Sequence, residues 1–192
     1  MPRCFVGAPV QWGGRHGRAP PVYVSWSGAS ALRLMQITEA TTTAELADAR
    51  VLVEEYVASL GIDLDFQDVE REMATFPGEY APPSGTILVA HDGRTAVGVV
   101  ALRRLGPGVC EMKRMYVRPD SRHRGVGREL SQRLITRATE LGYERMRLDT
   151  LASMDAAIAL YQSLGFREIG PYRFNPVAGA RFMELELRHG LP

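Results

Sequence analysis

Glycine and arginine are concentrated in one segment, residues 122–128, which reads Arg-His-Arg-Gly-Val-Gly-Arg. The two glycines, Gly125 and Gly127, carry no side chain, so another molecule can approach their backbone amides closely. If a helix begins here, its first amides have no partner within the helix, and the helix dipole adds positive charge to them. The three arginines supply more positive charge in a geometry that suits phosphate oxygens. The segment therefore predicts a phosphate-binding loop; the alternative is a tight connection whose glycines serve packing alone.

The elements on either side of this segment fit a phosphate-binding interpretation. Residues 109–117 form an apolar-alternating run, which predicts a strand. Residues 125–141 place their apolar side chains on one helical face, and Gly142 ends that helix. The order strand, loop, helix therefore puts the glycine pair at the N-terminus of a helix.

The rest of the chain predicts an α/β (α+β) fold. Thr42 and Glu45 match a capping box at the start of a helix that ends at Gly61, and Ser153 is a predicted N-cap. Asp92-Gly93 between two apolar runs predicts a β-hairpin. The other predicted elements are strands at 35–37, 86–91, 96–105, 145–150, 166–169 and 181–187, and helices at about 67–75 and between Ser153 and Gly165. Together they predict a single mixed, mostly antiparallel sheet of about seven strands with helices on both faces.

The composition predicts one globular domain. The chain has 192 residues, of which 45% are apolar and 23% charged, enough for a sizeable core. Its formal net charge of +1 argues against nucleic acid or an anionic membrane as a partner. No apolar run approaches the ~20 residues that a membrane helix needs. Residues 1–34 are rich in glycine and proline and are predicted to be a flexible N-terminal extension, with the domain spanning residues 35–192.

The two cysteines, Cys4 and Cys110, lie in different contexts and predict neither a disulfide framework nor a metal site. A reducing cytoplasm is therefore the expected compartment. Cys110 is predicted to be a buried structural residue that points to the sheet face opposite Glu111. The oligomeric state is left open by the sequence, a homodimer included.

The glycine-rich segment and its flanks resemble the GCN5-related N-acetyltransferases, the GNAT family. Arg122-x-x-Gly125-x-Gly127 matches the pyrophosphate loop of that family, which is written Gln/Arg-x-x-Gly-x-Gly/Ala. Glu111 on the preceding strand, Tyr161 within Leu-Tyr-Gln-Ser-Leu-Gly-Phe and the order of elements extend the resemblance from Met35 to the C-terminus. The resemblance implies an N-acetyltransferase in which a primary amine attacks acetyl-CoA directly, with no metal.

The resemblance also implies which residues bind acetyl-CoA. The amides of the glycine-rich loop would hold the pyrophosphate, and the strand before it would pair with the pantetheine arm. The implied residues are Met115, Tyr116, Val117, Arg122, His123, Arg124, Gly125, Val126, Gly127 and Arg128. A dinucleotide such as NAD is a weaker alternative, although Asp149 imitates a ribose-binding acid. Leu130 replaces the third glycine of that fingerprint, and the loop after the strand is too long.

Two side chains are candidates for proton transfer. Glu111 lies eleven positions before Arg122, where several members of the family carry the general base, often acting through a water. Its alternative role is a structural carboxylate paired with Lys113 or with an arginine across the sheet. Tyr161 lies where many members carry a tyrosine that protonates the departing CoA sulfur, and its alternative role is packing against Leu160 and Leu164.

The acceptor is predicted to contact the first two helices, the region of Tyr80 and the late loop at 170–176, because variable loops over a rigid sheet usually carry recognition. Tyr80, Tyr172, Asn175 and Arg181 are candidates, and they favour a small or amino-acid-like amine over a protein. Three acidic residues at 63, 65 and 68 could also attract a cationic amine. A non-catalytic acyl-CoA-binding or sensor domain is the rival function. The sequence does not define the acceptor or the acyl-chain length.

Overall fold

The computed structural model describes residues 35–61 and 69–187. This part of the chain forms seven strands and four helices in the predicted order. The strands are β1 (Met35–Glu39), β2 (Thr86–Asp92), β3 (Thr95–Gly106), β4 (Val109–Val117), β5 (Arg145–Leu151), β6 (Arg167–Ile169) and β7 (Ala180–Glu186). The helices are α1 (Thr43–Leu60), α2 (Val69–Thr75), α3 (Val126–Glu140) and α4 (Asp155–Ser163). The predictions for residues 1–34 and for the acidic residues at 63, 65 and 68 lie outside the described residues.

All seven strands belong to one sheet, in the order β1-β2-β3-β4-β5-β7-β6. Only β4 and β5 run parallel, and every other neighbouring pair is antiparallel. The predicted hairpin joins β2 to β3 through a two-residue turn in which Gly93 adopts a φ of +63°. The single, mixed, mostly antiparallel sheet of the prediction is confirmed.

Helices cover both faces of the sheet, because alternate strand residues point to opposite sides. On one face α3 and α4 pack through residues such as Leu130, Leu134 and Tyr161. On the other face α1 packs through Ala49, Leu52 and Val53. Each face therefore has its own apolar core, with the sheet between them.

The start of α1 is as predicted, whereas the start of α4 is not. The Thr42 hydroxyl accepts the amide of Glu45 at 3.3 Å, and the Glu45 carboxylate accepts the amide of Thr42 at 2.9 Å. The prediction that Ser153 caps α4 is wrong, since the N-cap residue is Met154 and makes no side-chain cap bond. A serine thus lies one residue too early to satisfy the first amides of α4.

A bulge in β4 and the separation of β4 from β5 create an opening in the middle of the sheet. Val99 lies opposite Tyr116 and Ala101 opposite Lys113, so β4 has one residue more than β3 over this stretch. Arg114 lies within that stretch and has a φ of +56°. The pairing of β4 with β5 ends at Glu111 and Arg147, although both strands continue. Beyond that point the two strands border a cleft.

None of the described helices is both long enough and apolar enough to cross a lipid bilayer.

Candidate functional site

The cleft between β4 and β5, called the central cleft below, reaches from α4 on one face of the sheet to α1 on the other. It has an apolar side and a polar side. Its lining residues are Tyr56, Leu60, Met112, Lys113, Arg114, Met115, Leu148, Asp149, Thr150, Leu151, Met154, Ala157, Tyr161, Asn175 and Val177. The facing edges of β4 and β5 form no hydrogen bonds to each other here. Backbone amides and carbonyls of either strand can therefore bind an extended ligand.

The N-terminus of α3 has the features of an anion site. Its N-cap residue is Gly125, with a φ of +79°, and no side chain caps the helix. The amides of its first turn therefore have no partner within the helix, and the dipole makes them positive. A Cβ added at Gly127 would meet Leu160 at 3.6 Å and Val117 at 3.8 Å, which are ordinary contacts. Packing alone does not require a glycine at 127, so the open backbone suits a ligand that approaches from outside.

The three predicted arginines surround this helix end and already contact protein groups. Arg122 donates from Nε to the carbonyl of Val117 at 3.0 Å. Arg124 pairs with Asp92 at 2.9 Å, and Arg128 donates to the hydroxyl of Ser163 at 2.8 Å. All three are exposed, as is His123, which has a φ of +59°. Each guanidinium has five N–H donors, so these contacts leave donors for an anion.

The strand residues Met115, Tyr116 and Val117 lie between the helix end and the central cleft. Met115 and Val117 pack toward α3 and α4, whereas Tyr116 is buried on the α1 face with its ring 6.0 Å from that of Tyr56. Their backbone pairs with β3 on one side only. The edge that faces β5 is therefore the one that can pair with an elongated ligand.

Tyr161 lies in the wall of the central cleft. Its ring packs 5.8 Å from that of Phe166, which is a packing contact of the kind predicted as the alternative, with a partner that the prediction did not name. No described residue forms a hydrogen bond with its hydroxyl. Burial, followed by the nearby Tyr56 and the charge of Asp149, raises the pKa of Tyr161 well above its usual range. The phenol therefore stays protonated at neutral pH and can donate a proton or hydrogen bond into the cleft.

Glu111 is fully buried on the α1 face of the sheet. Its Oε2 accepts from Nε of Arg103 at 2.7 Å, and Arg103 is its partner across the β3–β4 pair. Its Oε1 accepts from the hydroxyl of Tyr172 at 2.7 Å and from Arg173 at 3.3 Å. The pairing with an arginine across the sheet, predicted as the alternative role, is thus present. The carboxylate itself is not among the lining residues of the central cleft, and these three donors contact its two oxygens.

Lys113 and Asp149 are functional candidates that sequence reasoning missed. Nζ of Lys113 lies 3.3 Å from Oδ1 of Asp149, and both side chains line the central cleft. Burial acts to raise the pKa of Asp149, but the charges of Lys113 and Arg173 and hydrogen bonds from Lys113 and Asn175 bring it below its usual range. Strand alternation puts Lys113 on the face of Glu111, and this signal could have drawn attention to it. The contact with Asp149 joins residues 36 positions apart and carries no local signal.

The four residues predicted to contact the acceptor amine lie in different parts of the structure. Asn175 lines the central cleft and donates to Oδ2 of Asp149 at 3.0 Å. Tyr172 contacts Glu111, and its ring lies 5.3 Å from the guanidinium of Arg147. Tyr80 is buried and donates to Glu72 at 3.0 Å. Arg181 pairs with Glu168 of β6 at 2.6 Å and does not line the cleft.

The bulge in β4 is tied to α2 through Arg114. Its guanidinium donates to both oxygens of Glu72, at 2.8 and 2.6 Å. Burial acts to raise the pKa of Glu72, but the hydrogen bonds and charge of Arg114 bring it below its usual range. This bidentate pair holds the polar side of the central cleft against α2.

Cys110 is fully buried in the core on the α3 face, opposite Glu111, which confirms its predicted position. Burial raises the pKa of its thiol to about 12, so the thiolate is scarce at neutral pH. Among the described residues, no group of three or more His, Cys, Asp or Glu side chains could hold a metal ion.

Comparisons with known proteins agree with this geometry. The sequence model described as the Acetyltransferase (GNAT) family matches residues 50–166. A Schizosaccharomyces pombe protein named as an uncharacterised N-acetyltransferase is 45% identical over 145 residues, which are 74% of this chain and 89% of that one. A GNAT-family acetyltransferase structure from Staphylococcus aureus superimposes with a TM-score of 0.66 at 23% identity, covering 80% of this chain and 99% of that one. A Salmonella typhimurium structure solved with its cofactor acetyl-CoA gives a TM-score of 0.58 at 24% identity, covering 82% and 96%.

Proposed function

The chain belongs to the GNAT family of acetyltransferases, and on that premise we propose that it transfers an acetyl group from acetyl-CoA to a primary amine by direct attack. The observation that carries the proposal is the uncapped N-terminus of α3, whose Arg128 contacts α4, a helix that lines the central cleft. The relative named as an N-acetyltransferase and the neighbour solved with acetyl-CoA support the same donor. A small or amino-acid-like acceptor is proposed in preference to a protein.

Acetyl-CoA is proposed to bind along the edge of β4 that faces β5. The amides of residues 122–128 would hold its pyrophosphate, with the three arginines of that segment as countercharge. The backbone of Met115, Tyr116 and Val117 would pair with its pantetheine arm. Bound in this way, it supplies a thioester carbonyl that an amine can attack.

Tyr161 is the proposed general acid. The support is its place in the cleft wall, its hydroxyl without a described partner, and its raised pKa, which keeps the proton available. The carbon–nitrogen bond forms as the carbon–sulfur bond breaks, the phenol gives its proton to the leaving sulfur, and the proton that the acylated nitrogen then loses returns to the phenolate. A positioned acid of this kind typically contributes about 10² to 10⁴ in rate.

Glu111 is the proposed general base, and it is proposed to act through Tyr172. The hydroxyl of Tyr172 already donates to Oε1 of Glu111 at 2.7 Å. Tyr172 is not among the lining residues of the central cleft either, so a water would carry the proton of the incoming ammonium to its phenol oxygen while the phenol's own proton moves to Glu111. The charge balance is kept, because Glu111 becomes neutral as the ammonium becomes an amine.

The near-neutral charge and the different sequence contexts of the two cysteines support two coarser proposals. We propose no nucleic-acid partner, given a net charge of +1, and a reducing cytoplasm as the compartment. The domain is proposed to begin at Met35, where β1 starts.

One experiment tests the proposed function. The purified chain is mixed with acetyl-CoA and a panel of amines, free CoA is measured with a thiol reagent, and acetyl-CoA binding is measured by calorimetry. We expect micromolar binding and CoA release that depends on the amine. Binding without release from any amine would support the acyl-CoA sensor instead, and absence of binding would contradict both.

A further inference from the structure

Lys113 and Asp149 form an ion pair that crosses the central cleft. Each lies two residues beyond the last paired residues of β4 and β5, Glu111 and Arg147, where the strands have separated. Their side chains are only 7% and 6% exposed, yet both line the cleft. The pair therefore lies within the same cleft as the Tyr161 side chain.

Asp149 is held in place by groups other than Lys113. Oδ2 of Asp149 accepts from Asn175 at 3.0 Å and faces Arg173 at 3.6 Å. Glu111, Arg114 and Arg173 also act electrostatically on Lys113, and Tyr56 and Tyr161 face Asp149 from α1 and α4. Asp149 would therefore keep its position and charge if Lys113 moved to a new partner.

A lysine at this position is unusual for this chain. Lys113 is the only lysine among 23 lysine and arginine residues, so 22 of the 23 are arginine. An ammonium is a compact point charge on a flexible stem, whereas a guanidinium is a wide planar group. A lysine can bridge a narrow cleft and still turn toward an incoming carboxylate without filling the space that a small substrate needs.

We propose that the Lys113–Asp149 pair binds the two charges of a free α-amino acid with an apolar side chain, which is the acceptor. Asp149 receives the α-ammonium and Lys113 receives the α-carboxylate. The inference rests on the proposed acetyl transfer and names its substrate class. When the amino acid binds, Asp149 exchanges the ammonium of Lys113 for that of the substrate, and Lys113 exchanges the carboxylate of Asp149 for that of the substrate. No buried charge is therefore left unpaired.

The geometry of the substrate matches that of the pair. The nitrogen and carboxylate carbon of an α-amino acid are attached to the same carbon, so its two charges are adjacent, as are those of Lys113 and Asp149 at 3.3 Å. Tyr56, Leu60 and Val177 line the same cleft and provide apolar surface for a side chain. The N-terminus of a peptide lacks the α-carboxylate and would offer Lys113 no carboxylate of its own.

The test compares acceptors that differ in the carboxylate alone. L-leucine, L-leucinamide and 3-methylbutylamine form one series, and phenylalanine, phenylalaninamide and phenethylamine form a second. CoA release gives kcat/KM for each. Because a hydrogen bond to a charged group discriminates by about tenfold to a hundredfold, we expect at least one amino acid to exceed its amide and its amine by that factor. Equal use of amide or amine, or no use of either amino acid, would overturn the inference.

The variant Lys113→Met tests whether Lys113 causes the preference for the amino acid over its amide. In Lys113→Met we expect the ratio of kcat/KM between amino acid and amide to fall to within about threefold. Arg50→Met is the matched control, because Arg50 is exposed on α1 and pairs with Glu54 outside the cleft. An unchanged ratio in Lys113→Met would contradict the proposal. If that variant does not fold, as judged by circular dichroism, the wild-type series still decides.

The same measurements separate this inference from the proposed function. If acetyl-CoA binds and CoA is released only with amines other than apolar amino acids, the inference fails and the proposed transferase function stands. Absence of acetyl-CoA binding by calorimetry would remove both.

Discussion

Two tyrosines beside the cleft differ in what their hydroxyl groups contact. Tyr161 lines the central cleft and has no described hydrogen-bond partner, whereas Tyr172 donates to Glu111 at 2.7 Å. Burial raises the pKa of both phenols, and the negative charge of Glu111 adds to the effect at Tyr172. One phenol is thus a free proton donor and the other connects a buried carboxylate to its surroundings. Their substitutions should have different kinetic effects.

Tyr161→Phe keeps the ring that packs on Phe166 and removes the hydroxyl alone. We expect kcat to fall by about 10² to 10⁴, with the dissociation constant of acetyl-CoA within a few-fold of wild type, because the general acid acts on the leaving sulfur. CoA release and calorimetry measure the two quantities.

Tyr143→Phe is the control for this substitution. Tyr143 is also buried, and it donates to the carbonyl of Ser84 at 2.6 Å, outside the cleft. It should lose stability by about 1 kcal/mol and keep its kcat. A Tyr161→Phe enzyme with kcat within twofold of wild type would show that the tyrosine only packs.

Glu111→Gln and Tyr172→Phe test the proton path together. If the proton passes through Tyr172 to Glu111, either substitution interrupts the same path, and each should lower kcat by about 10² or more. The double variant should then be no slower than the slower single variant, because groups that act as a unit are not additive. Measured kcat values whose losses multiply would show that the two residues act independently.

At the scale of elements, two connections shape the site. The bidentate pair of Arg114 and Glu72 ties the β4 bulge to α2, and the hydroxyl of Tyr80 donates a further hydrogen bond to Glu72. On the other side of the sheet, α3 begins at a glycine N-cap with no side-chain cap. The Arg114–Glu72 pair holds the polar side of the central cleft in place through protein contacts. At the N-terminus of α3, by contrast, the amides of the first turn are left for a ligand to bind.

Glu72→Gln should destabilise the fold in a pH-dependent manner. Its pKa is lowered in the folded state, so its contribution is full above the unfolded glutamate value of about 4.3 and is lost as the pH falls through the folded value. We expect the variant to be less stable by about 1–3 kcal/mol at pH 7, and the difference to shrink below about pH 4.

Urea unfolding across this pH range measures that difference. Glu54→Gln serves as the control, because the Arg50–Glu54 pair is exposed and such pairs contribute about 0–1 kcal/mol. A difference for Glu72→Gln that is constant from pH 7 to pH 3 would contradict the assignment of the lowered pKa to the ion pair.

Gly127→Ala should separate stability from ligand binding at the N-terminus of α3. The added methyl meets only ordinary contacts with Leu160 and Val117, and alanine favours helix more than glycine, so thermal stability should stay equal or rise. The methyl would also obstruct a pyrophosphate at the first amides, so acetyl-CoA should bind at least about tenfold more weakly. Thermal unfolding and calorimetry report the two effects. Unchanged affinity would show that this glycine does not border the ligand.

At the scale of the molecule, much of the fold could be predicted because its signals are local. The Thr42–Glu45 capping box, the Gly93 turn and the alternation of β4 each depend on residues a few positions apart. The α4 start was misplaced because Met154, which has no capping oxygen, occupies the N-cap position.

The features that sequence did not predict depend on contacts between distant segments. The bulge at Arg114 appears only when β4 is aligned with β3, since no glycine marks it. The separation of β4 from β5 and the approach of Lys113 to Asp149 join strands that are distant in sequence. Arg181, a predicted acceptor contact at the start of a predicted strand, pairs instead with Glu168 of the edge strand β6.

The N-terminus of α3 is proposed to bind the pyrophosphate of acetyl-CoA and so to direct the thioester to Tyr161. The decisive measurement is a calorimetric titration of acetyl-CoA into wild type and into Arg122→Glu/Arg124→Glu. Arg50→Glu/Arg167→Glu, which changes the net charge equally on exposed positions elsewhere, is the control. We expect micromolar binding to wild type and control and a loss of about a hundredfold or more in the loop variant. No heat with wild type, or equal affinity in all three proteins, would contradict it.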